Sequence, residues 1–141
     1  MNNTLFIISA DHGAVDVEEI YLNDYPELEC CLKIPPSIET RFVTFFIKED
    51  KIEYFRKKFE EIFNDDFVFF TKEEFLHSSL LGKGKIHYKI NEFLGDFVAI
   101  SKSNKSIRYT TNDIKFETLV ADHAGITKDE MEVPVIIIEK R

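Results

Sequence analysis

The chain has 141 residues, 44% of them apolar and 14 of them phenylalanine, which is enough for one domain with a real core. A formal net charge of -8 disfavours broad contact with nucleic acid or an anionic membrane, because both demand a basic surface. No apolar run reaches the length of a membrane span, and Met1-Asn2-Asn3 lacks the basic opening of a secretory leader.

The first predicted element, Thr4 to Ala10, is almost continuously apolar, the pattern of a strand buried on both faces in a parallel sheet. It stops on Asp11-His12-Gly13. An α/β hydrolase places metal ligands in this way, at the carboxyl end of a buried strand. Successive strand residues point to opposite faces, so Asp11 and His12 can turn to one ion only if the chain bends, and Gly13 is expected to supply the freedom for that bend. The plainer alternative is that Asp11 caps a turn and His12 is an ordinary polar residue at a strand end. Further on, Cys30 and Cys31 are adjacent, a spacing that does not easily close an ordinary disulfide. They read as reduced thiols on a helix, which suits a cytoplasmic protein.

Pro35-Pro36 opens a middle unit that Thr111-Asn112-Asp113 closes. Inside it, Arg41 to Lys48 is rich in β-formers, and Glu49 to Phe63 carries Ile52, Phe55, Phe59, Ile62 and Phe63 at helical spacing. Asp66 to Phe70 predicts a strand, Thr71-Lys72-Glu73-Glu74 a capping box for a second helix, and Asp96 to Ser101 with Ser106 to Thr110 a hairpin. The phenylalanines are assigned to core packing. Gly82-Lys83-Gly84-Lys85 lacks the full spacing of a phosphate-cradling loop and is read as a turn. His77 is expected to be a surface or packing residue, and His87 to make a structural hydrogen bond.

Leu119 to Ala121 forms a second apolar run that ends on an Asp-His pair, Asp122-His123-Ala124-Gly125. Thr127-Lys128-Asp129-Glu130 has capping-box spacing and should begin a short helix. Val133 to Ile138 is a strand whose Pro134 fits best at its first position. It pairs in expectation with the first strand, so that the two ends of the chain build one sheet.

Leu5-Phe6-Ile7-Ile8-Ser9-Ala10-Asp11-His12-Gly13, Gly95-Asp96-Phe97-Val98-Ala99-Ile100 and, above all, His123 through Pro134 resemble the C-terminal part of type I phosphodiesterases and nucleotide pyrophosphatases of the alkaline phosphatase superfamily. The fold this resemblance implies is α/β. A partial alkaline-phosphatase-like sheet from residues 1–34 and 116–141 would belong to the metal-dependent catalytic core, and residues 35–115 would form an inserted α+β cap subdomain. It implies two divalent metal ions, of the zinc type, clamping the oxygens of an in-line phosphoryl displacement at about 4 Å separation. Asp11 and His12 would bind one ion and His123 the other, with Asp122 a strand-end or supporting residue. Ala124 stands where such enzymes often have glycine.

The nucleophile and the remaining ligands of similar enzymes precede Asp-His-Gly, so the chain alone is expected to be inactive or nearly so. The implied substrate is a phosphoester or nucleotide-type small molecule, with no nucleic-acid or membrane partner. A homo-oligomer or swapped dimer is expected for the isolated chain. The alternative is a stand-alone, non-catalytic binding or assembly module derived from that family.

Overall fold

A computed structural model describes residues 3–111 and 118–140. The chain opens with β1 (Thr4–Ser9), β2 (Val15–Asp16) and β3 (Glu18–Tyr21), then a 3-10 turn at Leu22–Asp24 and the one-turn helix α1 (Pro26–Glu29). Next come β4 (Ser37–Ile38), β5 (Phe42–Phe45), a 3-10 turn at Glu49–Lys51 and the long helix α2 (Ile52–Phe63). They are followed by β6 (Phe67–Thr71), α3 (Lys72–His77), α4 (Ile90–Phe93), β7 (Phe97–Ser101) and β8 (Lys105–Arg108). The last elements are β9 (Ala121–Asp122), α5 (Lys128–Met131) and β10 (Val135–Lys140). Among the described residues no helix is long and apolar enough to cross a membrane. Asn112 and Asp113 of the expected boundary lie outside the described residues.

The scaffold is a four-stranded antiparallel sheet in the order β4-β5-β7-β6. Its central strand β7 is buried along its whole length, and period-two alternation sends its side chains to two different cores. Phe97 and Ala99 face α2, where Phe45, Phe55, Phe59, Phe63 and Phe67 meet; the Phe59 and Phe69 rings stack with centroids 4.3 Å apart. Val98 and Ile100 face a smaller cluster with Phe75 and Leu94, against which Ile126 packs. Most phenylalanines of the middle unit therefore fill the cores as expected, while Phe93 stays exposed. The first core also takes Leu22, Leu28, Cys31 and Leu32 from the segment before Pro35.

The terminal strands do pair, but antiparallel, with Thr4 opposite Lys140 and Ser9 opposite Val135. The expectation of a parallel, doubly buried strand is corrected on both counts: from Leu5 to Ile8 every side chain is exposed, and so is all of β10. A run of apolar residues carries no information about strand direction, and among the described residues no helix covers this ribbon. Pro134 immediately precedes β10, as its missing donor requires.

The expected hairpin of β7 with β8 does not form. Ser101 Oγ donates to the Lys105 carbonyl at 2.8 Å, and the Arg41 guanidinium takes the Ser103 and Lys105 carbonyls at 2.8 and 2.9 Å. The turn so held diverts β8 to a parallel pairing with β3, Glu18 opposite Lys105 and Tyr21 opposite Arg108. Both predicted capping boxes form, at Thr71–Glu74 for α3 and Thr127–Glu130 for α5.

Candidate metal centre

The short ladder of β2 with β9 joins the two Asp-His corners. Val15 lies opposite Asp122 and Asp16 opposite Ala121, and Val17 N–H donates to the Val120 carbonyl at 3.0 Å. Because the strands run antiparallel, the residues before Val15 and those after Asp122 leave the ladder at the same end. The rings of His12 and His123 accordingly stack, with centroids 3.9 Å apart and planes 20° from parallel.

The corners share a local device. Asp11 Oδ1 accepts from His12 N–H at 3.0 Å, and Asp122 Oδ1 accepts from His123 N–H at 2.9 Å. Beyond that they differ. The second oxygen of Asp122 accepts the Thr40 hydroxyl proton, so both its oxygens are engaged in holding the corner to the sheet, in keeping with a supporting role. The second oxygen of Asp11 is turned to solvent, 3.7 Å from His12 Nε2. The His12 ring is oriented from its other side: Nδ1–H donates to the Gly13 carbonyl at 2.8 Å, and so Nε2 is the nitrogen left for a ligand. Hydrogen bonding from its own N–H, the His12 ring, the His12 N–H and the nearby His123 hold the Asp11 carboxyl below its ordinary value against a small opposing effect of burial, so it is charged in neutral solution.

This donor set fits a zinc-type ion as part of a ligand shell. Two donors on a tetrahedral ion with bonds of about 2.1 Å stand about 3.4 Å apart, close to the 3.7 Å between Asp11 Oδ2 and His12 Nε2. Among the described residues no group of three His, Cys, Asp or Glu side chains converges on one point. The chain thus offers a pair of donors at one corner and a single imidazole at the other.

Two glycines let the corners approach α5, though not for the reason expected of Gly13. Among glycines only Gly82 and Gly95 have positive φ. A Cβ on Gly13 would instead lie 1.8 Å from the Asp129 carbonyl oxygen, and one on Gly125 would lie 2.7 Å from Arg41 Nη2 and from Glu130 Oε2. The left-handed residue of the second corner is Ala124, with φ 80°.

The residues that sequence reasoning missed are Thr40 and Arg41, together with the larger part of Glu130's role. Arg41 is fully buried and Glu130 is 3% exposed. Their side chains meet fork to fork, Nε to Oε1 and Nη2 to Oε2, both at 2.7 Å. Glu130 also accepts from Gly125 N–H at 2.8 Å and from the N–H and hydroxyl of Thr127. Burial by itself would push the Glu130 carboxyl up, but the bonds from Arg41, Thr127 and Gly125, with the Arg41 charge, bring it down to about 2. An arginine at the head of a buried apolar strand was the available signal, since such a charge needs a partner. His77 and His87 stand elsewhere and exposed. His77 Nδ1–H donates to the Glu73 carbonyl at 2.7 Å, and His87 Nδ1 accepts from Lys89 N–H at 3.3 Å.

No protein-family model matches the chain, and neither does any curated protein. Its fold is found in solved structures. Human ectonucleotide pyrophosphatase/phosphodiesterase 5 matches over 96% of this chain and 34% of its own, at 17% identity and TM-score 0.64. The murine protein of the same name matches over 95% and 34%, at 19% identity and TM-score 0.59. Phosphonoacetate hydrolase from Sinorhizobium meliloti 1021, in complex with phosphonoformate, matches over 94% and 35%, at 21% identity and TM-score 0.61. The chain therefore has the fold of the C-terminal part of alkaline-phosphatase-like proteins, a small partial sheet bearing an α+β unit. It spans about a third of the length of the structures it matches.

Proposed function

We propose that the chain is the C-terminal portion of a metal-dependent hydrolase of phosphoester, phosphoanhydride or related bonds, in which Asp11 and His12 hold one divalent ion and His123 the second. The observation that carries this reading is the meeting of two Asp-His corners, far apart in sequence, with their imidazoles 3.9 Å from one another. When bound, two such ions polarise the phosphoryl oxygens and stabilise the attacking and leaving oxygens. The chain's own contribution is to present a charged Asp11 carboxylate, to fix the free nitrogen of His12 through Gly13, and to hold His123 beside it. Zinc is the ion that an oxygen and two imidazole nitrogens suit best.

The nucleophile and the remaining ligands are assigned to another segment. Ser9, the hydroxyl nearest the first corner in sequence, donates to the Pro134 carbonyl at 3.1 Å. A phosphoester, nucleotide or phosphonate small molecule is the substrate class, a choice supported by the solved complexes of similar fold, which hold AMP in one case and phosphonoacetate in another. Cytoplasmic placement is supported by Cys30 and Cys31, free thiols with Sγ atoms 3.9 Å apart. In the isolated chain we assign the uncovered β1/β10 ribbon to contact with a second copy.

Cobalt(II) titration tests the metal assignment. Wild-type chain is expected to bind weakly, and Asp11→Asn, His12→Ala and His123→Ala each to weaken binding further while His77→Ala does not. Supplied with an N-terminal segment carrying a nucleophile, the chain should hydrolyse bis(p-nitrophenyl) phosphate in a zinc-dependent manner, and a metal-loaded assembly without activity sinks the enzymatic reading. The second reading, a non-catalytic binding module, is favoured by the lack of a three-ligand cluster among the described residues. Metal-independent binding of a partner by the His12→Ala, His123→Ala double variant would decide for it.

A further inference from the structure

We propose that the buried Arg41–Glu130 pair is a positioning device that sets where the two metal-binding corners stand relative to one another. The inference rests on the two-ion reading above, and extends it to side chains that bond to none of the three candidate ligands.

Glu130 reaches both corners through different atoms. Its peptide carbonyl accepts from the N–H of Gly13, next to His12, at 2.9 Å, and its carboxylate accepts from the N–H of Gly125, two residues past His123, at 2.8 Å. One residue thus holds the backbone of both corners. Arg41 then ties that residue to the scaffold: its guanidinium grips the Glu130 carboxylate with two 2.7 Å bonds and the turn after β7 with two more, to Ser103 and Lys105. The neighbouring Thr40 hydroxyl donates to Asp122, so the second corner is pinned to the same stretch of chain at two points. A displacement of the carboxylate is felt directly at Gly125, and one that carries the Glu130 backbone with it is felt at Gly13 as well.

The other capping box of the chain shows that this is more than helix capping. At the start of α3, Thr71 N–H donates to the Glu74 carboxylate and Glu74 N–H to the Thr71 hydroxyl, yet the Glu74 side chain is 51% exposed and its cation, Arg56, stands 3.5 Å away on the surface. A cap needs no buried arginine. Glu130 has one, immediately before β5 of the main sheet, and lies between two corners.

The test compares Glu130→Gln and Arg41→Lys with Glu74→Gln in the full chain. The first readout is the through-space NMR cross-peak between the His12 and His123 rings, with the core phenylalanine resonances reporting the fold. The second is cobalt(II) affinity. Folded Glu130→Gln and Arg41→Lys are expected to lose most of the cross-peak and to bind cobalt 10- to 100-fold more weakly, the range usual for groups that orient metal ligands. Glu74→Gln should move neither readout. A folded Glu130→Gln or Arg41→Lys that retains both overturns the proposal, as does equal loss in Glu74→Gln. Unfolding of both buried-pair variants overturns it in favour of a role in stability alone. If wild-type chain takes up no cobalt while the cross-peak still depends on Glu130, the two-ion reading fails and the positioning role stands. If cobalt binds normally in Glu130→Gln, only the positioning role fails.

Discussion

Gly13 and Ala124 follow the two candidate histidines directly, and opposite demands fall on them. Ala124 adopts φ 80°, a conformation in which its Cβ crowds the backbone at a cost of roughly 1–2 kcal/mol. Ala124→Gly relieves that strain and loses part of the gain to the freer unfolded chain, so a net stabilisation of about 0.5–1 kcal/mol is expected in urea unfolding. Gly13 is held by space instead. With the Asp129 carbonyl 1.8 Å from where a Cβ would stand, Gly13→Ala must push the first corner off α5. A loss of about 1–3 kcal/mol and separation of the histidine rings are expected, and an unchanged ring cross-peak would contradict this. The need for glycine at position 13 was legible in the sequence, but its cause was not, because close approach of α5 is a tertiary fact. Glu130 supplies the pH dependence. Its carboxyl sits at about 2 in the fold against an ordinary 4.5, so it stabilises the folded chain above pH 4.5 and ceases to as the pH falls from 4.5 toward 2. The contribution is about 3 kcal/mol. Unfolding free energies at pH 7 and pH 3 should differ less in Glu130→Gln than in wild type.

At the scale of elements, one motif appears twice with different consequences. Removing the cap hydroxyl by Thr71→Ala takes away a surface bond and should cost about 1 kcal/mol, the usual value for a cap. Thr127→Ala removes a bond to a buried, charged carboxylate that also holds Gly125, and about 2 kcal/mol is expected. Equal losses by thermal unfolding of the two variants would argue that Glu130 is no more than a helix cap. Both boxes, the amphipathic α2 and the two Asp-His corners were legible because each depends on residues close in sequence. The pairing of β8 was not, since Ser106 to Thr110 has the pattern of a hairpin strand, while the turn before it is held by the distant Arg41 and by Ser101 and the strand itself pairs with β3. The direction of β1 against β10 was hidden for a similar reason. Apolar composition says that a strand is sticky, while register and direction come from what it meets.

At the scale of the whole molecule, the β1/β10 ribbon sets the behaviour of the isolated chain. Cross-strand partners share a face, so Phe6 with Ile138 and Ile8 with Ile136 make one apolar side, while Leu5, Ile7, Ile137 and Val135 make the other. All eight are exposed, from 50% for Phe6 and Ile138 to 64% for Ile7. Contiguous apolar surface on two sides of one ribbon exceeds what a soluble monomer ordinarily leaves uncovered. For the isolated chain a second copy is the available cover. Light scattering on the isolated chain should therefore show a dimer whose fraction rises with concentration. Phe6→Lys with Ile138→Lys places two like charges on one face, at paired positions, and should shift the chain toward monomer by at least tenfold in dissociation constant. The buried Phe55, Phe59 and Phe97 core lies elsewhere, so α2 and its packing should survive the change and the loss of dimer can be assigned to the ribbon. A wild-type chain that stays monomeric at high concentration would show that these two faces are too mobile or too narrow to drive association.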